Sequence, residues 1–459
     1  MRRPSLRPYD GLDNWTQGDT VSPDAMVMHF VGASALILVA AHAAGWLARL
    51  LKQPYIVGQL TAGIALGPSL LGSVSPDAYR ALFPSEIGPA LTGFAQFSLV
   101  VFLFAVGYEL DLKILGARAR TAVTVALAAF VVPMAVGSGC AVLFRDQLHQ
   151  LGMPRDLSPA MVVFAGVALS ITAVPVLTAI VRENNLSRTV PGIVAVSAAG
   201  LLDVVGWTVL AGALLDSGSG DHAIGWQARV LITVGFVAAM ILVARPLLRR
   251  LLWHTRMEPS LRMALLIGFA LGSAWVTQSI GLHVIFGALL AGAVVPREKG
   301  GTLDPDLLRP LNDVGSLLLP FFFVVSGQSV ALDSMGSLGW VVLLVVTVLA
   351  VVTKIGSSTL AAGLTGLDRH DARTVGVLMS TRGLTELIAL NAGFQAGLLS
   401  KPLYTVLVFM ALATTLFTQP LLSLVRRQTE REQRRVRDEP AAARPAVPQV
   451  QDGAPADAG

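Results

Sequence analysis

The chain is built from successive apolar stretches of about 20 residues, separated by short polar segments. An α-helix of about that length spans the hydrocarbon core of a bilayer. The stretches are uniformly apolar and do not alternate with polar residues, which argues against a transmembrane β-barrel. The sequence therefore predicts an all-α polytopic membrane protein. About thirteen candidate spans begin near Met26, Ile56, Gly88, Arg120, Ser158, Thr189, Ala228, Leu261, Gly281, Gly315, Leu338, Thr374 and Pro402.

The charges in the loops predict how the spans are oriented. When loops are assigned alternately to the two sides, 24 of the 34 Lys and Arg residues fall on the side of the C-terminus and 8 on the other. Because positively charged loops stay in the cytoplasm, we expect an external N-terminus and a cytoplasmic C-terminus in the cell membrane. The net charge of +5 then reflects membrane orientation, and nucleic acid is not a predicted partner.

Three segments are expected along the chain. Residues 1–25 are polar, show no apolar stretch before a cleavage site, and are predicted to be an external segment without a removable signal peptide. Residues 26–425 form the predicted transmembrane domain. Residues 426–459 are rich in Arg, Glu, Ala and Pro without periodic apolar residues, which predicts a largely disordered cytoplasmic tail.

An internal repeat relates the two halves of this domain. Leu99–Asp111 in the third span resembles Leu319–Asp333 in the tenth, and Leu60–Gly67 in the second resembles Phe286–Val294 in the ninth. The offset of seven spans is odd, so the related segments cross the membrane in opposite directions. We therefore expect inverted repeats around a linker span, as in many secondary transporters. The predicted repeats cover about residues 26–216 and 261–425.

Two charges of opposite sign stand alone in apolar stretches. Asp203 lies in the sixth span and Lys354 in the eleventh, each near mid-bilayer depth. A charge at that depth costs about 2.5 to 3.5 kcal/mol, so the two predict an ion pair, a water-filled cavity or an ion path. Asp203 is predicted to act in transport. Lys354 is either a titratable group of the site or a fixed bridge to Asp203 or to a helix end.

Helix-breaking residues occur at similar depth in the fifth and twelfth spans. Pro175 removes a backbone donor and frees carbonyls near Ser170 that could face a cation, although alone it would indicate an ordinary kink. Gly383 permits unwinding, and Arg382 and Glu386, four residues apart, would share a face if the helix continued. This pair is either structural or part of transport. We expect two broken helices that cross at the midplane around an ion site.

Four sequence motifs occur in a fixed order along the two halves: Ala168–Val176, Gly281–Gly292, Leu319–Gly327 and Met379–Ile388. The motifs and their order resemble those of the monovalent cation:proton antiporter-2 family, especially its branch similar to plant cation/H+ exchangers. The resemblance extends from about Gln53 to Leu422. It implies an inverted-repeat antiporter fold, usually dimeric, with a scaffold part and a moving core part.

The resemblance also implies roles for particular residues. An acid at the position of Asp203 carries the cation and the proton in turn, and Lys354 lines the same site. The unwound segments Thr172–Pro175 and Thr381–Gly383 line it as well. One difference is Leu202, because relatives commonly carry a polar residue or a second acid there. The loss of that group weakens the expectation of electrogenic exchange.

Together these features predict a secondary active antiporter that exchanges Na+ or K+ for protons, with no cofactor beyond the transported ions. A K+ channel or uniporter and a proton-coupled transporter of an organic solute are the alternatives. An enzyme is not predicted, because the sequence contains no His-Glu-x-x-His helix, no Gly-rich phosphate loop and no second intramembrane aspartate. The expected partners are the bilayer, monovalent cations, protons and a second copy of the chain.

Overall fold

The computed structural model describes residues 23–51, 53–109, 118–216, 226–254, 257–280, 283–297 and 304–438, and these residues form helices and loops without a β-strand. The helices are α1 (Pro23–Leu50), α2 (Tyr55–Ala65), α3 (Leu71–Val74), α4 (Pro76–Leu82), α5 (Gly88–Glu109), α6 (Ala119–Leu143), α7 (Arg145–Gln150), α8 (Pro159–Ser170), α9 (Val174–Glu183), α10 (Val190–Asp216), α11 (Trp226–Ala239), α12 (Arg245–His254), α13 (Pro259–Ser279), α14 (Val284–Val294), α15 (Pro305–Gln328), α16 (Gly336–Leu364), α17 (Arg369–Met379), α18 (Leu384–Gln395) and α19 (Lys401–Asp438). A π-helical turn, Met240–Ala244, joins α11 to α12.

The helices account for the predicted spans. Within the described residues, ten helical segments are long and apolar enough to cross a membrane, with α8 and α9 counted together. The shorter apolar helices α2 and α14 and the interrupted pair α17 and α18 supply the remaining three. The predicted all-helical membrane fold is therefore confirmed.

Two helices begin earlier than the apolar pattern indicates. α15 begins at Pro305 rather than near Gly315, because its first turns carry charged residues that a search for uncharged runs passes over. α17 begins at Arg369 rather than near Thr374, because the Asp368 side chain accepts a hydrogen bond from the backbone N–H of Asp371 and caps the helix.

The membrane helices pack as two groups. The framework bundle consists of α1, α2, α5, α13, α14 and α15, and the core bundle consists of α6, α8, α9, α10, α16, α17, α18 and α19. Helices of each group pack mainly against other members of that group. The core bundle contains both interrupted spans and both isolated charges, Asp203 and Lys354. It is therefore the part of the protein in which the predicted site lies.

Helix packing repeats with the predicted offset of seven spans. In the framework bundle α2 packs on α15, and their counterparts α14 and α5 pack together likewise. A glycine allows the close approach in each pair: a Cβ at Gly63 would collide with the carbonyl oxygen of Phe323, and one at Gly292 with that of Phe104. In the core bundle α6 packs on α8, and α16 packs on α17. Inverted repeats explain these matched pairs.

The last helix extends beyond the predicted membrane domain. α19 runs to Asp438, so the expectation of disorder is wrong for residues 426–438. This segment is rich in Arg, Gln and Glu, and it extends an existing helix without a new nucleation step. Residues 439–459 of the predicted tail and residues 1–22 of the predicted external segment lie outside the described residues. The division of the chain into these segments stays a prediction.

Candidate ion-binding site

The two interrupted spans meet at their breaks. α8 ends at Ser170 and α9 begins at Val174, while α17 ends at Met379 and α18 begins at Leu384. The backbone N–H of Ala173 donates to the carbonyl oxygen of Thr381 at 3.2 Å. The hydroxyl of Thr172 donates to the carbonyl oxygen of Met379, also at 3.2 Å. Two predicted broken helices thus cross with direct hydrogen bonds between their unwound segments, which we call the crossing (residues 171–173 and 380–383).

In each interrupted span, a helix-breaking residue lies where the second helix begins. Pro175 occupies the first turn of α9, where its missing N–H costs no hydrogen bond within the helix. Gly383 precedes α18 with a φ of 145°, a conformation that residues with a side chain rarely adopt. A Cβ at Gly383 would lie 2.8 Å from Cγ2 of Val176, so the crossing has no room for a larger residue there.

Two buried cations hold the end of α8. The guanidinium of Arg382 donates to the carbonyl oxygens of Ala168, at 2.7 Å, and Leu169, at 2.5 Å. The ammonium of Lys354 donates to the carbonyl oxygen of Ser170. The last turn of a helix carries unpaired carbonyls and a partial negative charge. Lys354 and Arg382 therefore satisfy and neutralise a helix end that lies inside the membrane domain.

Lys354 also reaches α6, a contact that the sequence analysis missed. Its Nζ donates to the carbonyl oxygen of Ala129 at 3.0 Å. Pro133 lies inside α6, four residues after Ala129, and has no N–H to bond to that carbonyl. The hydroxyl of Ser170 donates to the carbonyl oxygen of Phe130 on the same turn, at 3.1 Å. Pro133 in an otherwise regular span was the sequence signal that could have indicated this anchor.

Arg382 and Glu386 form a buried ion pair across the break. Nη1 of Arg382 lies 2.6 Å from Oε1 of Glu386, and the two side chains are 1% and 0% exposed. The pair forms although the helix does not continue through Arg382, which lies in the unwound segment before α18. The second carboxylate oxygen of Glu386, Oε2, has no hydrogen-bond partner among the described residues.

Asp203 is the unsatisfied acid of the core bundle. Its side chain is only 2% exposed, and within the described part of the chain neither carboxylate oxygen accepts a hydrogen bond. An ion pair with Lys354, one of the arrangements that the sequence allowed, is absent there. The Lys354 ammonium is held by the carbonyl oxygens of Ser170 and Ala129, and the first of these is the alternative contact with a helix end. A buried carboxylate without donors is costly unless it binds a proton or a cation.

The helix that carries Asp203 packs beside the crossing. α10 contacts α6, α8, α9 and α17. Gly206 lies one helical turn after Asp203, and a Cβ there would be 3.7 Å from Cγ1 of Ile171, the first residue of the crossing. The buried hydroxyl of Thr381, in the other unwound segment, also has no hydrogen-bond partner among the described residues. The carboxylate oxygens of Asp203 and the hydroxyl of Thr381 are therefore available to an ion, as is Oε2 of Glu386.

Comparison with known proteins identifies the family of the chain. Residues 37–424 match the family described as "Sodium/hydrogen exchanger, transmembrane". The chain belongs to this family. It is 31% identical over 406 residues to the Na(+)/H(+) antiporter NhaS4 of Synechocystis sp., covering 87% of this chain and 98% of that one.

Longer eukaryotic relatives match over part of their length. Identity is 34% over 395 residues to the Cation/H(+) antiporter 17 of Arabidopsis thaliana, which covers 85% of this chain and 47% of the plant protein. It is 31% over 385 residues to the K(+)/H(+) antiporter 1 of Saccharomyces cerevisiae, which covers 82% of this chain and 44% of the yeast protein. The chain thus spans about half the length of these members of the sodium/hydrogen exchanger family.

A solved structure shares the fold. The sodium proton antiporter MjNhaP1 from Methanocaldococcus jannaschii matches with a TM-score of 0.64 at 15% identity, covering 87% of this chain and 98% of that one. At this identity the likeness establishes the sodium/proton antiporter fold alone. The fold prediction made from the inverted repeat and the two broken helices is confirmed.

Proposed function

We propose that this protein is a secondary active antiporter that exchanges a monovalent cation, Na+ or K+, for a proton. The observation that carries the proposal is the Asp203 carboxylate, which is buried beside the crossing with both oxygens unpartnered in the described structure. Relatives named for Na+/H+ and for K+/H+ antiport support this class of reaction and both candidate cations.

Exchange follows from competition at one carboxylate. Asp203 binds either a proton or a dehydrated cation, and each neutralises it. An ionised, empty carboxylate would have to cross an apolar region during reorientation, at a cost of about 2.5 to 3.5 kcal/mol or more. The core bundle therefore reorients when Asp203 is neutralised and stays on one side when it is not. Antiport then needs no separate coupling device.

The neighbouring groups set the conditions for this competition. Lys354 and Arg382 are held on the end of α8, so their charges stay near the crossing without occupying the carboxylate of Asp203. Thr381 offers a hydroxyl oxygen to a hard cation. Leu202 stands where a second acid would add a second charge, so one cation exchanges for one proton and the cycle is electroneutral.

The assembly and placement of the protein belong to the same proposal. The inverted-repeat fold, with a framework bundle beside a core bundle, supports a homodimer in which the core bundle moves against the framework. The excess of Lys and Arg in loops on the C-terminal side supports an external N-terminus and a cytoplasmic C-terminus in the cell membrane.

The proposal is tested by proton flux in proteoliposomes that contain a pH-sensitive dye. Na+, K+ or a non-permeant cation is added to the wild type, to Asp203→Asn, and to Asp313→Asn, which changes an exposed acid on α15. We expect cation-driven proton movement in the wild type and Asp313→Asn and none in Asp203→Asn. Exchange that persists in Asp203→Asn would overturn the carrier role.

The same assay separates the alternatives. Cation flux without proton counterflow in the wild type would indicate a K+ channel or uniporter. Proton movement that responds to an organic anion or amine but to neither metal ion would indicate a solute transporter. A membrane-potential dye tests the stoichiometry, because an electroneutral cycle predicts no change in its signal when Na+ is added in the absence of an ionophore, whereas an electrogenic cycle changes it.

A further inference from the structure

A cavity of about 310 Å³ lies in the core bundle, bounded by α6, α8, α16 and the start of α19. Apart from Cys140 and Gln147, the side chains that line it are aliphatic or aromatic. Its inner wall includes Ala165 and Leu169 of α8. None of the groups proposed for ion exchange lines this cavity, so it is separate from the candidate ion site.

The mouth of the cavity opens on the apolar outer surface of the membrane-spanning helices. Val341 and Val345 of α16 line it and are 58% and 45% exposed, and Phe144 at the end of α6 is 50% exposed. These residues lie in or next to membrane spans, where hydrocarbon is the surrounding medium. Water does not fill an apolar cavity of this kind, because it finds no hydrogen-bond partners there.

The polarity of the lining changes toward one end. α6 ends at Leu143, and the short helix α7 brings Gln147 to the cavity, while Arg145 is exposed two residues earlier on the same helix. Arginine and glutamine side chains donate hydrogen bonds to phosphate and ester oxygens. An apolar interior with donors at one end matches a molecule with a hydrocarbon chain and an anionic head.

We propose that this cavity binds one acyl chain of a phospholipid, with the headgroup beside Arg145 and Gln147. The site is specific because the chain enters the bundle instead of covering its outer surface. The volume is at the lower end of the range of about 300 to 1,000 Å³ typical of ligand pockets, which suits a single chain.

The cavity lies next to a residue that bonds to the crossing. Leu169 lines the cavity, and its carbonyl oxygen accepts a hydrogen bond from Arg382 of the crossing at 2.5 Å. A bound chain would therefore support the last turn of α8, the helix end that Lys354 and Arg382 neutralise. The effect of the lipid on the end of α8 matters only if the proposed antiport is correct, whereas the binding of the acyl chain does not depend on it.

Binding is tested with a phospholipid that carries a photoreactive diazirine in its acyl chain. The wild type is compared with Ala141→Leu, which fills the cavity, and with Ala135→Leu, the same change at an exposed position of α6. We expect cross-linked peptides from the lining segments of α6 and α16 in the wild type and in Ala135→Leu. In Ala141→Leu their yield should fall at least tenfold, since the three added carbon atoms displace about three buried CH₂ groups of the chain.

Equal yields in the two variants, or cross-links spread evenly over the outer face of α6, would overturn the proposal.

Cys140 gives a second measurement that needs no mutation, because it is the only cysteine of the chain and lines the cavity. In detergent, added phospholipid should slow its alkylation by a maleimide several-fold, while glycerophosphocholine without acyl chains should have no effect. An alkylation rate that phospholipid leaves unchanged would also overturn the proposal. Neither measurement depends on transport, so a failure of antiport would be recognised separately.

Discussion

Lys354 donates a hydrogen bond from Nζ to the carbonyl oxygen of Ala129 at 3.0 Å, which joins α16 to α6 inside the core bundle. The carbonyl is available because Pro133, four residues later, has no N–H. The same ammonium bonds to Ser170 at the end of α8. Lys354 is thus held by backbone oxygens, and among the described residues neither carboxylate oxygen of Asp203 has a hydrogen-bond partner.

Replacing Pro133 with alanine should stabilise the protein and slow exchange. The new N–H would compete with Lys354 for the Ala129 carbonyl, while removal of an interior proline relieves a helix cost of up to about 3 kcal/mol. We expect a higher melting temperature in detergent with an exchange rate several-fold lower. Pro320→Ala in α15 of the framework bundle is the control, and its exchange rate should not fall. Equal exchange rates in both variants would contradict a role for this anchor.

Replacing Lys354 with glutamine should change the pH dependence of exchange. The amide can still donate to Ser170 or Ala129, so the fold is retained, but the positive charge beside the crossing is lost. Proton flux measured across a pH series should show a shifted profile. Lys401→Gln, at an exposed position, should leave the profile in place. A profile that is unchanged in Lys354→Gln would mean that this lysine is purely structural.

The buried pair of Arg382 and Glu386 should show strong energetic coupling. Removing one partner leaves the other charge buried, at a typical cost of about 3 to 5 kcal/mol, whereas removing both avoids that penalty. In a double-mutant cycle with Arg382→Met and Glu386→Met, the double variant should be less destabilised than the sum of the single variants. The exposed pair Arg80 and Asp77, at 3.7 Å, serves as the control and should show little coupling. Additive effects at the buried pair would refute this prediction.

Replacing Gly383 with alanine should damage the crossing in two ways. The backbone φ of 145° strains a residue with a side chain by about 1 to 3 kcal/mol, and the new Cβ would meet Val176. The second change, Val176→Ala, removes the contact but not the backbone strain. We therefore expect Gly383→Ala to lower both stability and exchange, with only partial recovery in the double variant. Gly356→Ala, where a Cβ would have nothing within 4 Å, is the matched control. Full recovery would show that the steric contact alone requires glycine.

The sequence by itself determined the features that depend on local composition. Uniformly apolar stretches specify helices that span a bilayer, and Pro175 and Gly383 specify where two of them are interrupted. Asp203 and Lys354 stand out because burying an isolated charge in such a stretch costs free energy. The repeated segments, offset by seven spans, indicated the inverted architecture. Each of these signals is read from the order and type of residues along the chain, so no packing had to be known.

Only the tertiary structure decided which groups bond to one another. Opposite charge favoured a pair of Lys354 with Asp203, but the ammonium lies on carbonyls of Ser170 and Ala129, the latter 225 residues away in sequence. Arg382 bonds to both Glu386 and the end of α8 because it lies in the unwound segment between two helices. Its position on a continuous helix would not have predicted both contacts. A backbone carbonyl carries no sequence signature of its own. Its availability depends on where helices end and cross, so the partner of each buried cation is fixed by packing.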